Sequence, residues 1–401
     1  FVPFAEYDRH LSNAGDRISL VDSFGRTLFS VAYGDDARWG EAADGGGSSL
    51  VPLAPDANII EPDNAASWRV STAIHGSPGA DDPLPVVINE ILAHVNDGQM
   101  EAIELYNPTT FEAAIGGWYL SDNPALPKKF KIPAGTLIPA GGFVSFSADA
   151  FNAHPGDAHS FDLADAGETL YLSSANQWDR LTGYMTAFEF GAAEPGVSLG
   201  RVVNSVGRVH ITPQSATSLG AVNAGPRIGP IIISRIMYNP QSLIEFIELQ
   251  NSSDAPVSLY DPERPLNTWR VGGVIYQFPS GSTIPAQGKL LVTPLSPTTV
   301  CTTVGVAPGT QVIGPYPVNL ADDGQLVTLE KPSAPDSTGQ VHYIIVDAIE
   351  YDDVPPWPFE PDGTGPALAR TASTAYGNDP DNWLAGDGSL QTAANGANSV
   401  A

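Results

Sequence analysis

The chain has 401 residues, which on length alone suggests roughly two to four domains, and its 45 acidic and 18 basic residues give a formal net charge of −27. Such a surface repels phosphate backbones and anionic lipid, which argues against nucleic acid as a partner. The sequence contains no run of about 18 apolar residues, so membrane insertion is not expected. Forty Gly, 36 Pro and a single Cys exclude a helical protein and an intramolecular disulfide framework, and favour many short strands joined by turns.

The first predicted strand lies in LSNAGDRISLV, residues 11–21, and it begins a block that occurs three times. The other copies are LADAGETLYLS at 163–173 and LADDGQLVTLE at 320–330. Each block continues through further strands and closes on a segment of small residues and Gly. We call each such block a tail.

A different pattern, which we call a head, occurs twice. It comprises an apolar strand, a polar turn and a second alternating strand, as in VVINEILAHVNDGQMEAIELYN at 86–107 and IIISRIMYNPQSLIEFIELQN at 231–251. Alternation places Ile103 and Leu105 on the inward face of the second strand and Glu104 on the other. In the later copy it likewise places Ile247 and Leu249 inward, opposite Glu248. The pattern predicts a half-buried strand at the surface of a β-sandwich.

The match between the two heads continues into a Pro/Gly-rich segment. FKIPAGTLIPAGGF at 130–143 aligns with YQFPSGSTIPAQGK at 276–289, and Pro and Gly at the same places indicate the same turns between short strands. Trp118 and Trp269 each precede this segment. We expect both indoles to be buried, each in its own core.

Three tails and two heads predict three domains of unequal completeness. Residues 1–82 are expected to be the C-terminal part of a sandwich whose front half is absent, followed by complete sandwiches at 83–227 and 228–401. The incomplete part should leave apolar side chains of its strands uncovered, namely Ile18, Leu20, Leu28 and Val31. We expect upstream domains of the same polypeptide, or neighbouring subunits, to cover them.

The ordered motifs of head and tail together resemble the lamin tail domain, which is found in nuclear lamins and in tandem in secreted bacterial proteins. The resemblance implies an all-β fold of tandem immunoglobulin-like β-sandwiches, and proline in the linkers near 82–86 and 225–231 suggests an elongated array. It also implies a non-catalytic module that binds partners or acts as a spacer. The second copy departs from the first at Arg235, where the first has Glu90, and this departure weakens any role for Glu90.

Two motifs could indicate catalysis or metal binding. GVSLG at 196–200 fits the G-x-S-x-G elbow of a serine hydrolase, but its counterparts in the other tails are turns, so we expect Ser198 to be catalytically silent. His154 and His159 lie near two Asp residues, but their spacing matches no standard zinc motif and predicts a solvated loop.

Acidic pairs occupy matching places in the first and third tails, namely Asp35 with Asp36 and Asp352 with Asp353. Such loops could hold calcium, while carboxylates that cap backbone N–H groups in a turn are commoner. No other cofactor is expected.

Trp39 and Trp357 follow these acidic pairs in the chain. One interpretation is an exposed platform for polysaccharide, and the other, which we favour, is a side chain that closes the end of the core.

The sequence therefore predicts a non-enzymatic structural or binding module of a secreted or cell-surface bacterial protein. It would space, anchor or self-assemble through its immunoglobulin-like domains. The alternative is an accessory polysaccharide-binding region of a secreted hydrolase.

Overall fold

The computed structural model describes residues 10–35, 39, 43–45, 47–52, 62–71, 75–76, 78, 82, 85–241, 244–303, 306 and 310–386. The prediction of an all-β fold is confirmed, because strands in several sheets make up nearly all of the regular structure. Two compact units divide the chain: the first comprises residues 1–190, 195–201 and 216–224, and the second comprises the remainder. The division into three domains stays a prediction.

The elements are short, as the density of Gly and Pro predicts. In the first segment the strands are β1 (Asp16–Val21), β2 (Thr27–Tyr33), β3 (Leu50–Pro52) and β4 (Trp68–Val70), with a 3₁₀ turn at Ala65–Ser67. From residue 87 to residue 213 they are β5 (Val87–Leu92), β6 (Ala102–Tyr106), β7 (Ala113–Ala114), β8 (Tyr119–Ser121), β9 (Phe130–Lys131), β10 (Leu137–Ile138), β11 (Phe143–Ser147), helix α1 (Ala148–Phe151), β12 (Gly167–Ala175), β13 (Leu181–Gly191), β14 (Leu199–Val203) and β15 (Val209–Pro213). From residue 231 they are β16 (Ile231–Met237), β17 (Phe246–Asn251), β18 (Val257–Ser258), β19 (Tyr260–Asp261), β20 (Arg264–Thr268), β21 (Arg270–Val271), β22 (Tyr276–Gln277), β23 (Thr283–Ile284), β24 (Lys289–Val292), helix α2 (Pro297–Thr303), β25 (Gln311–Ile313), β26 (Gln325–Pro332), β27 (Tyr343–Tyr351), β28 (Ala367–Arg370), a 3₁₀ turn at Pro380–Asn382 and β29 (Trp383–Gly386).

A sandwich in the first unit contains the first head. One sheet includes the strands β11, β6, β5 and β14 in that order, and the other has the order β13-β12-β8-β9. Ile103 and Leu105 from the first sheet and Leu170 and Leu172 from the second are all completely buried. The predicted inward register of Ile103 and Leu105 is therefore confirmed.

The second unit repeats this arrangement with the second head. Its sheets have the orders β25-β24-β17-β16-β28-β29 and β22-β21-β26-β27. One apolar cluster joins them, and it includes Ile247 and Leu249 of β17, Leu329 of β26 and Trp269. The core positions expected for this copy are thus occupied as predicted.

Asn107 and Asn251 stand at the same place, at the end of the second strand of each head, because each holds the loop that follows. The Asn107 side-chain amide donates to the backbone oxygens of Phe111, Ile138 and Pro139 at 2.6, 3.0 and 3.1 Å. Asn251 makes the equivalent bonds to its own loop at 2.8–3.1 Å. Both side chains are completely buried, so the amide satisfies carbonyl groups that would otherwise lack partners.

Two sequence expectations need correction. Glu104 was expected on the outer face of a half-buried strand, yet it is completely buried because Ser218 and Gly220, from the segment that closes the tail, lie over that face of the sheet. Trp118 was expected to be buried, yet it is only partly so, with its ring 5.7 Å from that of Tyr184.

The first segment forms two separate two-stranded sheets, β1–β2 and β3–β4. Within the described part of residues 10–71, only Val31, Trp39 and Val70 are buried apolar side chains, so the expectation that Val31 would be uncovered is wrong. This part of the chain does not close into a sandwich of its own.

Candidate functional site

The hairpin β1–β2 presents an apolar face to solvent. Ile18, Leu20 and Leu28 are 43%, 60% and 63% exposed. The matching positions of the two other tails are Leu170 and Leu172, and Val327 and Leu329, and all four of these side chains are completely buried. The side chains at these two positions are therefore buried in the core in two tails and exposed on the surface in the first tail.

A concave surface adjoins this face. It encloses about 480 Å³, and its walls are mainly apolar and aromatic. Its lining residues include Leu11, Ile18, Val31, Tyr33, Trp39, Leu50 and Trp68. Contiguous exposed apolar surface of this kind is typical of interaction sites.

Asp63 fixes the hairpin to the turn before β4. Its carboxylate accepts hydrogen bonds from the Arg17 guanidinium and from the backbone N–H of Ala32, both at 2.7 Å. The side-chain hydrogen bond from Arg17, with help from Ala32, lowers the pKa of Asp63. The hairpin is thus held in place by polar contacts while its apolar face stays open.

Trp39 is buried and lines the concave surface, whereas Trp357 lies in the core of the second unit. They are 8% and 7% exposed, and the Trp357 ring lies 6.5 Å from that of Trp383. Both indoles are largely buried, which leaves little ring face for a sugar to stack on, and the polysaccharide interpretation stays a prediction. Their position favours the end-of-core role.

The structure describes three of the four residues in the two acidic pairs. Asp36 lies outside the described residues, and Asp35 is exposed. Asp352 accepts a hydrogen bond from the Val354 N–H at 3.3 Å, and a hydrogen bond with Asp352 raises the pKa of its neighbour Asp353. Among the described residues no group of three or more His, Cys, Asp or Glu is placed to hold a metal ion, and calcium stays a prediction.

A buried carboxylate pair, which no sequence motif marks, lies in the first unit. Glu90 on β5 and Glu104 on β6 are cross-strand partners, and both are completely buried. Glu90 accepts hydrogen bonds from the Ser198 hydroxyl at 2.5 Å and from the N–H and hydroxyl of Ser218 at 2.9 and 2.8 Å. Ser198 is therefore a structural donor in this geometry.

Glu104 has a similar set of neutral donors. Asn89 donates to it at 2.9 Å, and the backbone N–H of Gly220 also donates to it. Burial raises the pKa of Glu104, and the charge of Glu90 raises it further. Each of the two strands of the first head contains one Glu, and these two Glu residues form the pair once the strands align.

At the matching position, the second copy has an ion pair in place of two carboxylates. Arg235 replaces Glu90 and pairs with Glu248 at 2.6 Å, and Lys289 reaches the other oxygen of Glu248 at 2.8 Å. Burial acts to raise the pKa of Glu248, but the hydrogen bonds and charges of Arg235 and Lys289 hold it below its ordinary value. The two copies share a fold but not this chemistry.

Comparison with known proteins yields one family match. A family model described as Lamin Tail Domain matches residues 80–186, the segment that holds the first head and the start of the following tail. No curated protein matches. No helix among the described residues is long and apolar enough to cross a membrane.

A solved structure of a DUF4876 family protein from Bacteroides thetaiotaomicron is 11% identical to the chain. The match covers 54% of this chain and 86% of that chain, with a TM-score of 0.24. A likeness at that level carries no argument about fold or function.

Proposed function

We propose that this chain is a non-catalytic structural module of an extracellular or cell-surface bacterial protein. It spaces or anchors other domains through immunoglobulin-like sandwiches. The lamin-tail match within an all-β chain supports this role. The observation that carries it is the exposure of Leu20 at a position where Leu172 and Leu329 are completely buried.

The uncovered hairpin face takes a lamin-tail-type head from a polypeptide segment outside these 401 residues. In the two other tails, the matching side chains pack beneath a head sheet formed by strands such as β5–β6 or β16–β17. Both of these heads already cover their own tails, so neither is free to cover the first. Burying Ile18, Leu20 and Leu28 would stabilise the docked state by several kcal/mol, at about 25 cal/mol for each Å² of apolar surface removed from water.

A chimaera tests this role. A second copy of residues 83–162 is fused directly before Leu11, which reproduces the junction found at Leu163. Hydrogen exchange of the amides in residues 16–33 is measured in the chimaera and in the original chain. We expect exchange in the chimaera to slow to the range of residues 167–191, because the added head covers the face.

The control is the same chimaera with Ile103→Asp and Leu105→Asp in the added copy only, which should restore fast exchange. Equal exchange rates with and without the added head would refute the docking of a head. A dimer of the original chain by light scattering, with residues 16–33 already protected, would assign the face to a second copy instead.

A further inference from the structure

The hairpin turn between β12 and β13 holds a tryptophan outward. Trp178 is 72% exposed, and the side-chain oxygen of Asn176 accepts hydrogen bonds from the backbone N–H groups of Trp178 and Arg180 at 3.0 and 3.1 Å. The turn also closes through a bond from the Asn176 N–H to the Arg180 carbonyl at 2.9 Å. The indole is thus presented on a fixed backbone, which lowers the entropy lost on binding.

The turn itself does not require a tryptophan. The equivalent turn between β26 and β27 runs from Asp336 to Gln340 with the same closing bonds. It has Thr338 where the turn between β12 and β13 has Trp178. Thr338 shows that a small polar residue suits this place. An exposed Trp that contributes nothing to its turn needs another reason to be there.

Asp179 is a second departure at the same turn. It adopts a φ of 67°, in the left-handed region where the second copy has Gly339, and this costs an ordinary residue on the order of 1 kcal/mol. Its carboxylate accepts hydrogen bonds from the Tyr119 hydroxyl and the Lys131 ammonium group. Asp179 therefore fixes cationic groups beside the tip.

Positive charge is concentrated here in a chain that otherwise has little of it. The chain has five Lys, and three of them are Lys128, Lys129 and Lys131. Lys129 pairs with Asp122 at 2.5 Å, whereas Lys128 donates to the backbone oxygen of Asp179 at 2.5 Å and keeps its charge uncompensated by that contact. Lys128 and Lys131 contact Asp179, and Arg180 follows it in the chain, so three cationic side chains lie at or beside this turn with one carboxylate.

We propose that this tip, comprising Trp178, Arg180, Lys128 and Lys131, binds an acidic polysaccharide. The apolar face of a sugar ring packs on the exposed indole, and carboxylates of the same or neighbouring sugars meet the cationic groups. The rest of the chain, with a net charge of −27, repels nucleic acid and acidic polysaccharide alike, so binding is confined to a short stretch of the ligand at the tip. This role goes beyond the structural function proposed above and involves none of the residues of the uncovered face.

The test is calorimetric titration of the full chain with oligogalacturonate, with neutral dextran oligomers and oligo(dT) as comparison ligands. Oligogalacturonate should bind in a salt-sensitive way, and Trp178→Ala should weaken binding about tenfold or more. Thr338→Ala, at the same turn position of the second copy, is the matched control and should leave affinity unchanged.

Unchanged oligogalacturonate binding in the Trp178→Ala variant would overturn the proposal, as would equal binding of dextran. Tighter binding of oligo(dT), or binding of none of the three ligands, would also overturn it. Because Trp178 is exposed, its replacement should not unfold the chain, and circular dichroism checks this. The chimaera experiment reports on residues 16–33 alone, so either proposal can fail without the other.

Discussion

Glu90 and Glu104 face each other across neighbouring strands, both completely buried and both bonded to neutral donors. At the matching position in the second copy, Arg235 faces Glu248. Burial and the charge of Glu90 raise the pKa of Glu104, whereas the ion pair in the second copy offsets part of the cost of burying Glu248. The two copies therefore have the same cross-strand position filled by two carboxylates in one case and by a cation and a carboxylate in the other.

Removal of Arg235 should destabilise the second unit strongly. Arg235→Ala leaves the buried Glu248 with Lys289 and Ser234 as its remaining partners, and breaking a buried pair in this way costs about 3 kcal/mol. Hydrogen exchange of the β16 and β17 amides measures the loss. Arg264→Ala removes an exposed pair with Asp261 and should cost less than about 1 kcal/mol. Equal effects of the two substitutions would contradict this account of the buried pair.

Glu168 should make the stability of the first unit depend on pH. Its carboxylate accepts the Ala164 N–H at 2.9 Å, and burial raises its pKa from 4.5 to about 7. Between these values the folded state keeps a proton that the unfolded state has lost, so the free energy of unfolding falls as pH rises from 4.5 to about 7. We expect a fall of about 2 kcal/mol, because solvent screens a group that is only half-buried.

The second copy supplies the control for Glu168. Gln325 occupies the matching place and accepts the Ala321 N–H at 2.8 Å without carrying a charge. Glu168→Gln should flatten the pH dependence of the first unit, and Gln325→Glu should introduce the same decline in the second. Hydrogen exchange of β12 and β26 amides at pH 4.5 and 7.5 measures both, and a pH profile that Glu168→Gln leaves unaltered would count against the assignment.

Asn107 should tolerate no acidic replacement. Asn107→Asp puts a carboxylate against three carbonyl oxygens that now accept hydrogen bonds from the amide, and we expect a loss of about 3 kcal/mol in the free energy of unfolding. Asn176→Asp is the matched control, because Asp336 already closes the equivalent turn. It should change stability by less than about 0.5 kcal/mol. Denaturant unfolding distinguishes the two, and similar losses would disprove the role of the Asn107 donors.

Core truncation should be equally costly in both copies. Ile103→Ala and Leu249→Ala each remove a completely buried side chain and should cost about 2–5 kcal/mol in the unit that contains them. Leu266 is exposed, so Leu266→Ala serves as the neutral control. A small effect at Ile103 with a large effect at Leu249 would mean that the two sandwiches are not equivalently packed.

The sequence alone was enough for the inward register of Ile103, Leu105, Ile247 and Leu249, because alternation along a strand has only two solutions and the apolar set selects one. Exposure of Leu20 also followed from the excess of tails over heads. Burial of Glu104 could not be foreseen, because its cover comes from Gly220, which is 116 residues further along the chain. Likewise, the Lys run at 128–131 was visible in the sequence, but its contact with Asp179 depends on how β8, β9 and β12 pair.

The difference between the copies at one cross-strand pair also bears on how the chain folds correctly. A polypeptide with two similar sandwiches risks joining a strand of one to a partner of the other while both are still unfolded. If β5 took the place of β16 beside β17, Glu90 would face Glu248 away from the Ser198 and Ser218 donors that satisfy it in its own copy. Burying that arrangement would cost several kcal/mol, so a core that contained an exchanged strand would be disfavoured as it closed.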